Sequence, residues 1–230
     1  MDFNKIINSK TYNVLDLLFK LLIVNVLWVV MSTIGLGVLT IMPASIATYV
    51  IINSLIFDRH FPIFKSFFII FKKEYWRAQK LFIALLFIGF IVYMDIDFFY
   101  QLVVDQPSAF FSALALLSLF FGFLYLLILI HIGPVYIYFP KLSTGQMIKL
   151  SLLMGFRHIF LSIFILLLLA LSIVVVRYLP ILGSMVVLFS FALFVYLSLR
   201  YLRPKYESLI HGSEPLMVSD YYFKTEDNGN

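Results

Sequence analysis

Apolar residues fall in long runs separated by short polar stretches, and the run lengths decide what kind of protein this is. Residues 17–37, 39–57, 81–100, 109–130, 159–176 and 179–199 are each almost free of charge. A helix needs about 20 apolar residues to cross a hydrocarbon core of about 30 Å. Lys20 interrupts the first run near its start, where a long stem lets the ammonium group reach the headgroups. Gly35, Gly37 and Thr40 supply a turn so short that the first two runs form a tight antiparallel hairpin. The pattern predicts an all-α, polytopic membrane protein with six transmembrane helices and amphipathic cytoplasmic helices. These helices make one transmembrane domain over residues 1–200, followed by a cytoplasmic tail of low order over residues 201–230.

The polar stretches have patterns of their own. After Pro62, the residues Phe64, Phe67, Phe68, Phe71 and Tyr75 recur at intervals of three and four, with Lys65, Lys72 and Lys73 mainly off that stripe. This predicts an amphipathic helix lying along the membrane surface, with Tyr75 and Trp76 in the interfacial belt. The same pattern also suits a helix that docks into a partner's groove. Arg59, Lys65, Lys72, Lys73, Trp76, Arg77 and Lys80 are therefore the candidate surface for a partner or for anionic lipid. Residues 140–158 form a second, moderately basic stretch in which Ser143 or Thr144 caps a helix.

Small residues mark where helices meet. Pro43 lies in the first turn of the second apolar helix, where its missing N–H does little harm, and with Ala44 and Ala47 it forms a candidate helix-packing face. Ser118 and Gly122 are spaced in the same way. The fourth run continues through His131 and Gly133 towards Phe139, so its helix is expected to kink or end near Pro134.

Composition agrees with a membrane protein: 63% of residues are hydrophobic and 13% charged, where a soluble domain has about a quarter charged. The net charge of +5 lies in the loops, where it reports topology and not a nucleic-acid face. With six spans, of the 17 Lys and Arg residues only Arg177 falls on the side that also holds Asp95, Asp97 and Asp105. Short cytoplasmic loops are the ones enriched in Lys and Arg, so the expected localisation is the cell membrane, with both termini cytoplasmic. The first run is longer than the h-region of a cleaved signal peptide. There is no Cys, which excludes disulfides, thiolate nucleophiles and thiolate metal sites.

Candidate chemistry is sparse. Asp95 and Asp97 form a D-x-D triplet, the arrangement some glycosyltransferases use for a metal-bound sugar nucleotide. On a helix, however, the two carboxylates point about 200° apart, and solvated acids at the membrane face are the simpler reading. His131 borders a span and is a candidate proton carrier, with no acidic neighbour in sequence. His60 and His158 share the expected cytoplasmic side without ligand spacing. No enzyme activity, cofactor or metal is expected. The expected partners are the lipid bilayer and another membrane or cytoplasmic protein, not nucleic acid.

Residues 33–78, preceded by N-V-L-W at Asn25 to Trp28, carry a glycine turn, a P-A element at Pro43 and Ala44, and an F-x-x-F-x-x-x-F-K-K segment from Phe64 to Lys73. This region resembles the YesL-like family of small bacterial integral membrane proteins. A looser similarity continues in the Tyr-Phe-Pro step at Tyr138 to Pro140 and the G-F-R-H stretch at Gly155 to His158. The family has no established activity, and the resemblance supplies no functional residues. Its members occur among genes for carbohydrate uptake and breakdown, which implies an accessory or scaffold role there. The alternative is a small secondary transporter or channel, whose path would be lined by few polar groups, among them Asn25, Ser45, Thr48, Asn53 and His131.

Overall fold

The computed structural model describes residues 10–35, 37–57, 61–178, 180–207 and 214–223. Among them the chain is all-helical, with eight helices: α1 (Lys10–Ile34), α2 (Ile41–Ile56), α3 (Ile63–Asp105), α4 (Ala109–Tyr138), α5 (Thr144–Arg157), α6 (Ile159–Tyr178), α7 (Pro180–Glu207) and α8 (Ser219–Phe223). The α1–α2 turn depends on Gly37, whose φ of +74° suits a residue without a Cβ. The Gly37 N–H donates to the Ser32 carbonyl (2.8 Å), as does the Thr40 hydroxyl (3.2 Å). Ser108 caps α4 by accepting from the Phe111 N–H (3.2 Å), and Ser143 with Gln146 forms a capping box at α5.

α2 is the centre of the molecule. It is apolar on all sides and buried at Pro43, Ala44, Ala47 and continuously from Ile46 to Leu55. α1, α3, α4 and α7 all pack on it. The Trp28 ring stacks on Phe191 of α7 (4.2 Å between centroids), and the buried Asn25 side chain accepts from the Ala192 N–H (2.9 Å).

Three differences from the sequence expectation shape the fold. First, residues 63–80 are not a separate surface helix. They are the first half of α3, a single helix of 43 residues and so about 64 Å long. No Gly or Pro lies between Ile63 and Ile88, and the inward positions Phe67, Ile70, Glu74, Ala78, Leu81 and Leu85 run at intervals of three and four straight across the expected boundary at Lys80. Second, of the two outcomes expected near Pro134, a kink or an end, the helix does not end there: α4 continues to Tyr138. The proline removes one helical donor, and packing on every side of residues 130–138 holds the helix across that gap. Third, residues 214–223 of the expected low-order tail are docked on the helices.

Side-chain contacts show how the helices align in depth. Gln79 Nε2 donates to the Val38 carbonyl (3.3 Å), so the α1–α2 turn sits beside the middle of α3 and not at its far end. At the other end of α2, Arg203 of α7 lies over the Phe57 ring (3.8 Å). The result is a packed body made of α1, α2, α5, the first half of α3, the last third of α4 and the end of α7. Beyond it α3 and α4 run on as an arm of about 30 Å, closed by the loop at residues 106–108. Phe87, Phe90, Phe98, Phe110 and Leu116 are exposed along this arm. α6 leaves α5 at an angle of 93° and pairs with α7.

Among the described residues three helices are long and apolar enough to cross a membrane, Val14–Ile34, Ile63–Asp105 and Ala109–Tyr138, or four if the bent α5–α6 pair counts as one span. α2, with 16 residues, is about 24 Å long and falls short of a hydrocarbon core of about 30 Å.

The continuity of α3 is directly measurable. In this cysteine-free chain, spin labels attached to cysteines introduced at Lys65 and Tyr100 are expected about 52 Å apart by double electron–electron resonance. A surface helix turned at right angles to its span would bring them to about 40 Å or less.

Candidate functional site

The first half of α3 has two faces with different fates. Lys65, Lys72, Trp76 and Lys80 follow one another at intervals of seven, four and four, which places them on one stripe. All are exposed, Trp76 at 75%, and Phe64 and Phe68 are exposed beside them. The opposite face carries Ser66, Phe67, Ile70, Glu74, Ala78 and Gln79 into the body, with Lys73 and Arg77 at its edges. The predicted basic surface is therefore divided, and only part of it is free. Arg59, its first member, and His60 lie outside the described residues.

Glu74 is the hub of the inward face. Its side chain is 12% exposed, and a carboxylate so far from water must be given partners. The Tyr136 hydroxyl of α4 donates to Oε2 (2.5 Å), and the Tyr221 hydroxyl of α8 donates to Oε1 (2.8 Å). Arg77 Nη1 lies 3.6 Å from Oε2, its guanidinium sits 4.3 Å from the centre of the Tyr136 ring, and Nη2 donates to the Pro140 carbonyl. Burial, and after it the Glu74 charge, pushes the Tyr221 phenol well above its ordinary pKa, so it stays protonated as a donor.

Residues 214–223 close this face. The Leu216 N–H donates to the Ile137 carbonyl (3.0 Å), one of the last carbonyls of α4, which lack helical partners. Asn53 Nδ2 donates to the Leu216 carbonyl (3.1 Å), and the Val218 N–H donates to Ser54 Oγ (2.9 Å). Asn53 and Ser54 are fully buried, so the segment satisfies polar groups that would otherwise be orphaned inside α2. Lys73 Nζ donates to the Tyr221 carbonyl (2.7 Å), and the Tyr222 and Ser66 hydroxyls are 3.0 Å apart.

A second buried polar cluster joins α4, α6 and α7. The His131 ring is held between Ser162 Oγ, 2.9 Å from Nε2, and the Tyr206 hydroxyl, 3.1 Å from Nδ1. Ser162 Oγ also lies 3.2 Å from the His158 carbonyl. The His158 ring is 6.4 Å from that of His131.

The other residues singled out in the sequence are dispersed. Pro43, Ala44 and Ala47 are buried in α2. Asp97 accepts from Gln101 Nε2 (2.8 Å) on the outer arm, about 30 Å along α3 from Arg77. Among the described residues no three His, Cys, Asp or Glu side chains gather as metal ligands. Sequence reasoning did not single out Glu74, Tyr136, Tyr221 or the paired roles of Asn53 and Ser54. One signal was present: Glu74 is the only acid between Arg59 and Met94, three residues before Arg77.

Comparison with known proteins gives relatives without an assigned activity. Residues 21–96 match a family model described as "Protein of unknown function, DUF624". The chain is 30% identical over 197 residues to the "Uncharacterized protein YteU" of Bacillus subtilis (strain 168), covering 83% of each chain. It is 27% identical over 140 residues to the "Uncharacterized protein YesL" of the same organism, covering 60% of this chain and 63% of that one. No solved structure matches.

The docked segment offers a direct test of the hub. Tyr221→Phe removes one donor to a buried carboxylate, an interaction of about 1.5–3 kcal/mol. Limited proteolysis in detergent is expected to cut residues 208–223 about tenfold faster or more in the variant, with cleavage elsewhere unchanged.

Proposed function

We infer a function from one premise: the chain belongs to the YesL-like family, in which neither the matching family model nor the named relatives carry an assigned activity. On our reading it is a multi-pass component of the cell membrane with both termini in the cytoplasm. It acts as an accessory or scaffold protein for carbohydrate uptake or use, and not as an enzyme. The carbohydrate element rests on the family resemblance.

One observation carries the scaffold reading. Residues 81–94, 109–130 and 159–176 contain no charged side chain, while apolar side chains of α3, α4 and α6 are exposed along much of their length. Ion-coupled transporters keep ionisable groups at membrane depth. Outer segments of this composition instead suit contact with lipid and with other membrane helices. The exposed stripe of Lys65, Lys72, Trp76 and Lys80 then faces the anionic headgroups of the cytoplasmic leaflet.

The length of α3 bears on how the six apolar segments meet the bilayer. About 64 Å of helix cannot all lie across about 30 Å of hydrocarbon. Each exposed Lys at the bilayer centre costs about 2.5–3.5 kcal/mol, which argues against immersing the half that carries Lys65 and Lys72. We therefore assign the hydrocarbon to residues 81–100, 109–130, 159–176 and 179–199. The segments at 17–37 and 39–57 form a hairpin that enters from the cytoplasmic side and returns, reaching the level of Gln79. The distribution of Lys and Arg between the two sides is the same on this reading.

Single cysteines distinguish the two dispositions in intact cells. Gln106→Cys is expected to react with a membrane-impermeant maleimide added outside, and Val38→Cys is not; equal labelling of both would restore a full crossing by the first hairpin. The scaffold role is tested by crosslinking through Lys65, Lys72 and Lys80 in cells grown on a range of carbohydrates. Recovery of a membrane component of an uptake system is expected. Flux of a sugar or ion through vesicles holding only the purified chain would overturn that role in favour of a transporter.

A further inference from the structure

A cavity of about 370 Å³ lies where the packed body gives way to the outer arm. Its walls are aromatic: Trp28, Tyr49, Phe82, Tyr125, Phe191 and Phe194, contributed by α1, α2, α3, α4 and α7. Nearly all of the polar atoms these walls bring are already engaged. Trp28 Nε1 donates to Ser45 Oγ (2.9 Å), which donates to the Ile41 carbonyl (2.7 Å), and the Tyr125 hydroxyl donates to the Leu85 carbonyl (3.1 Å).

Tyr49 is the exception. Its side chain is 5% exposed, and its hydroxyl makes no hydrogen bond to any described residue. The ring makes a T-shaped contact with Phe191 (6.2 Å between centroids), and its hydroxyl end packs against Gly133, where a Cβ would come within 2.2 Å of it. A ligand acceptor placed in the cavity could take a hydrogen bond from this hydroxyl, worth about 0.5–1.5 kcal/mol.

These features limit the ligand. The walls satisfy apolar surface plus one acceptor, so a pyranose, with several hydroxyls to be desolvated against one free partner, does not fit. Leu86 and Leu129, which line the cavity, are themselves exposed on the outer surface of α3 and α4, so the opening is apolar. In a chain whose outer helices meet hydrocarbon, that opening faces lipid tails. The volume lies within the range of about 300–1,000 Å³ usual for small-molecule sites.

We propose that this cavity binds one long acyl chain, with the acyl carbonyl oxygen accepting a hydrogen bond from the Tyr49 hydroxyl. A free fatty acid and the tail of a phospholipid share this chemistry. The proposal is independent of any partner in carbohydrate uptake, because the site is complete within one chain.

The chain has two tryptophans: Trp28 lines the cavity, and Trp76 is exposed and does not line it. In the Trp76→Phe variant, Trp28 is the sole indole and bromine on a bound chain quenches it on contact. The full chain in non-ionic detergent is titrated separately with 9,10-dibromostearic acid and with a phosphatidylcholine carrying the same dibrominated chains. Saturable quenching at one site by either probe is expected, and the probe that saturates identifies the source. Tyr49→Phe is expected to raise the half-saturating concentration about fivefold, the loss of one neutral hydrogen bond. Ile132→Phe, which fills the cavity, is expected to abolish saturation. Quenching that rises linearly with both probes overturns the proposal, as does saturation that Tyr49→Phe leaves unchanged; Tyr49→Phe keeps the ring, so this second outcome does not depend on how Ile132→Phe folds.

Discussion

A helix cannot stop without a reason, and α3 is given none for 43 residues. Its buried stripe keeps the same period on both sides of Lys80, so the half that carries charge and the half that carries none are rigidly one rod. The rest of the molecule is arranged against that rod. α2 and the last third of α4 cover its charged half, and the first part of α4 follows its apolar half outwards.

Within the charged half, one buried carboxylate organises its surroundings. Glu74 gathers two phenols from distant parts of the sequence, and Arg77 bridges it to the end of α4. Such an arrangement is costly to assemble and more costly to break, because removing one partner leaves a charge without compensation. Its contribution is therefore better described as specificity: it fixes which segment lies over the ends of α2 and α4. The cations on the opposite stripe take no part, so two neighbouring lysines, Lys72 and Lys73, serve different ends.

The helical class, the apolar segments and the cap at Ser143 were legible in the sequence because each is a local pattern. The burial of Ala44 and Ala47 has a local signature of the same kind, small side chains in a helix apolar all round. The continuity of α3 was not legible, since a surface helix and a span share one period and only a change of charge marks their junction. The helix through Pro134 depends on packing from all sides, which no neighbouring residue announces. Glu74 was hidden because its partners Tyr136 and Tyr221 lie 62 and 147 residues away. The docking of Leu216 and Val218 uses backbone groups that every residue possesses.

The segment at residues 214–223 has a consequence for the order of assembly. It is synthesised after every helix it covers, yet Asn53, Ser54 and Glu74 each take one partner from it. During biogenesis the helices can therefore reach their places in the bilayer while these polar groups are still hydrated. The body then closes over the ends of α2 and α4 in a last step, and a chain released before residue 214 would carry a wet seam between α2, α3 and α4, where quality-control proteases can find it.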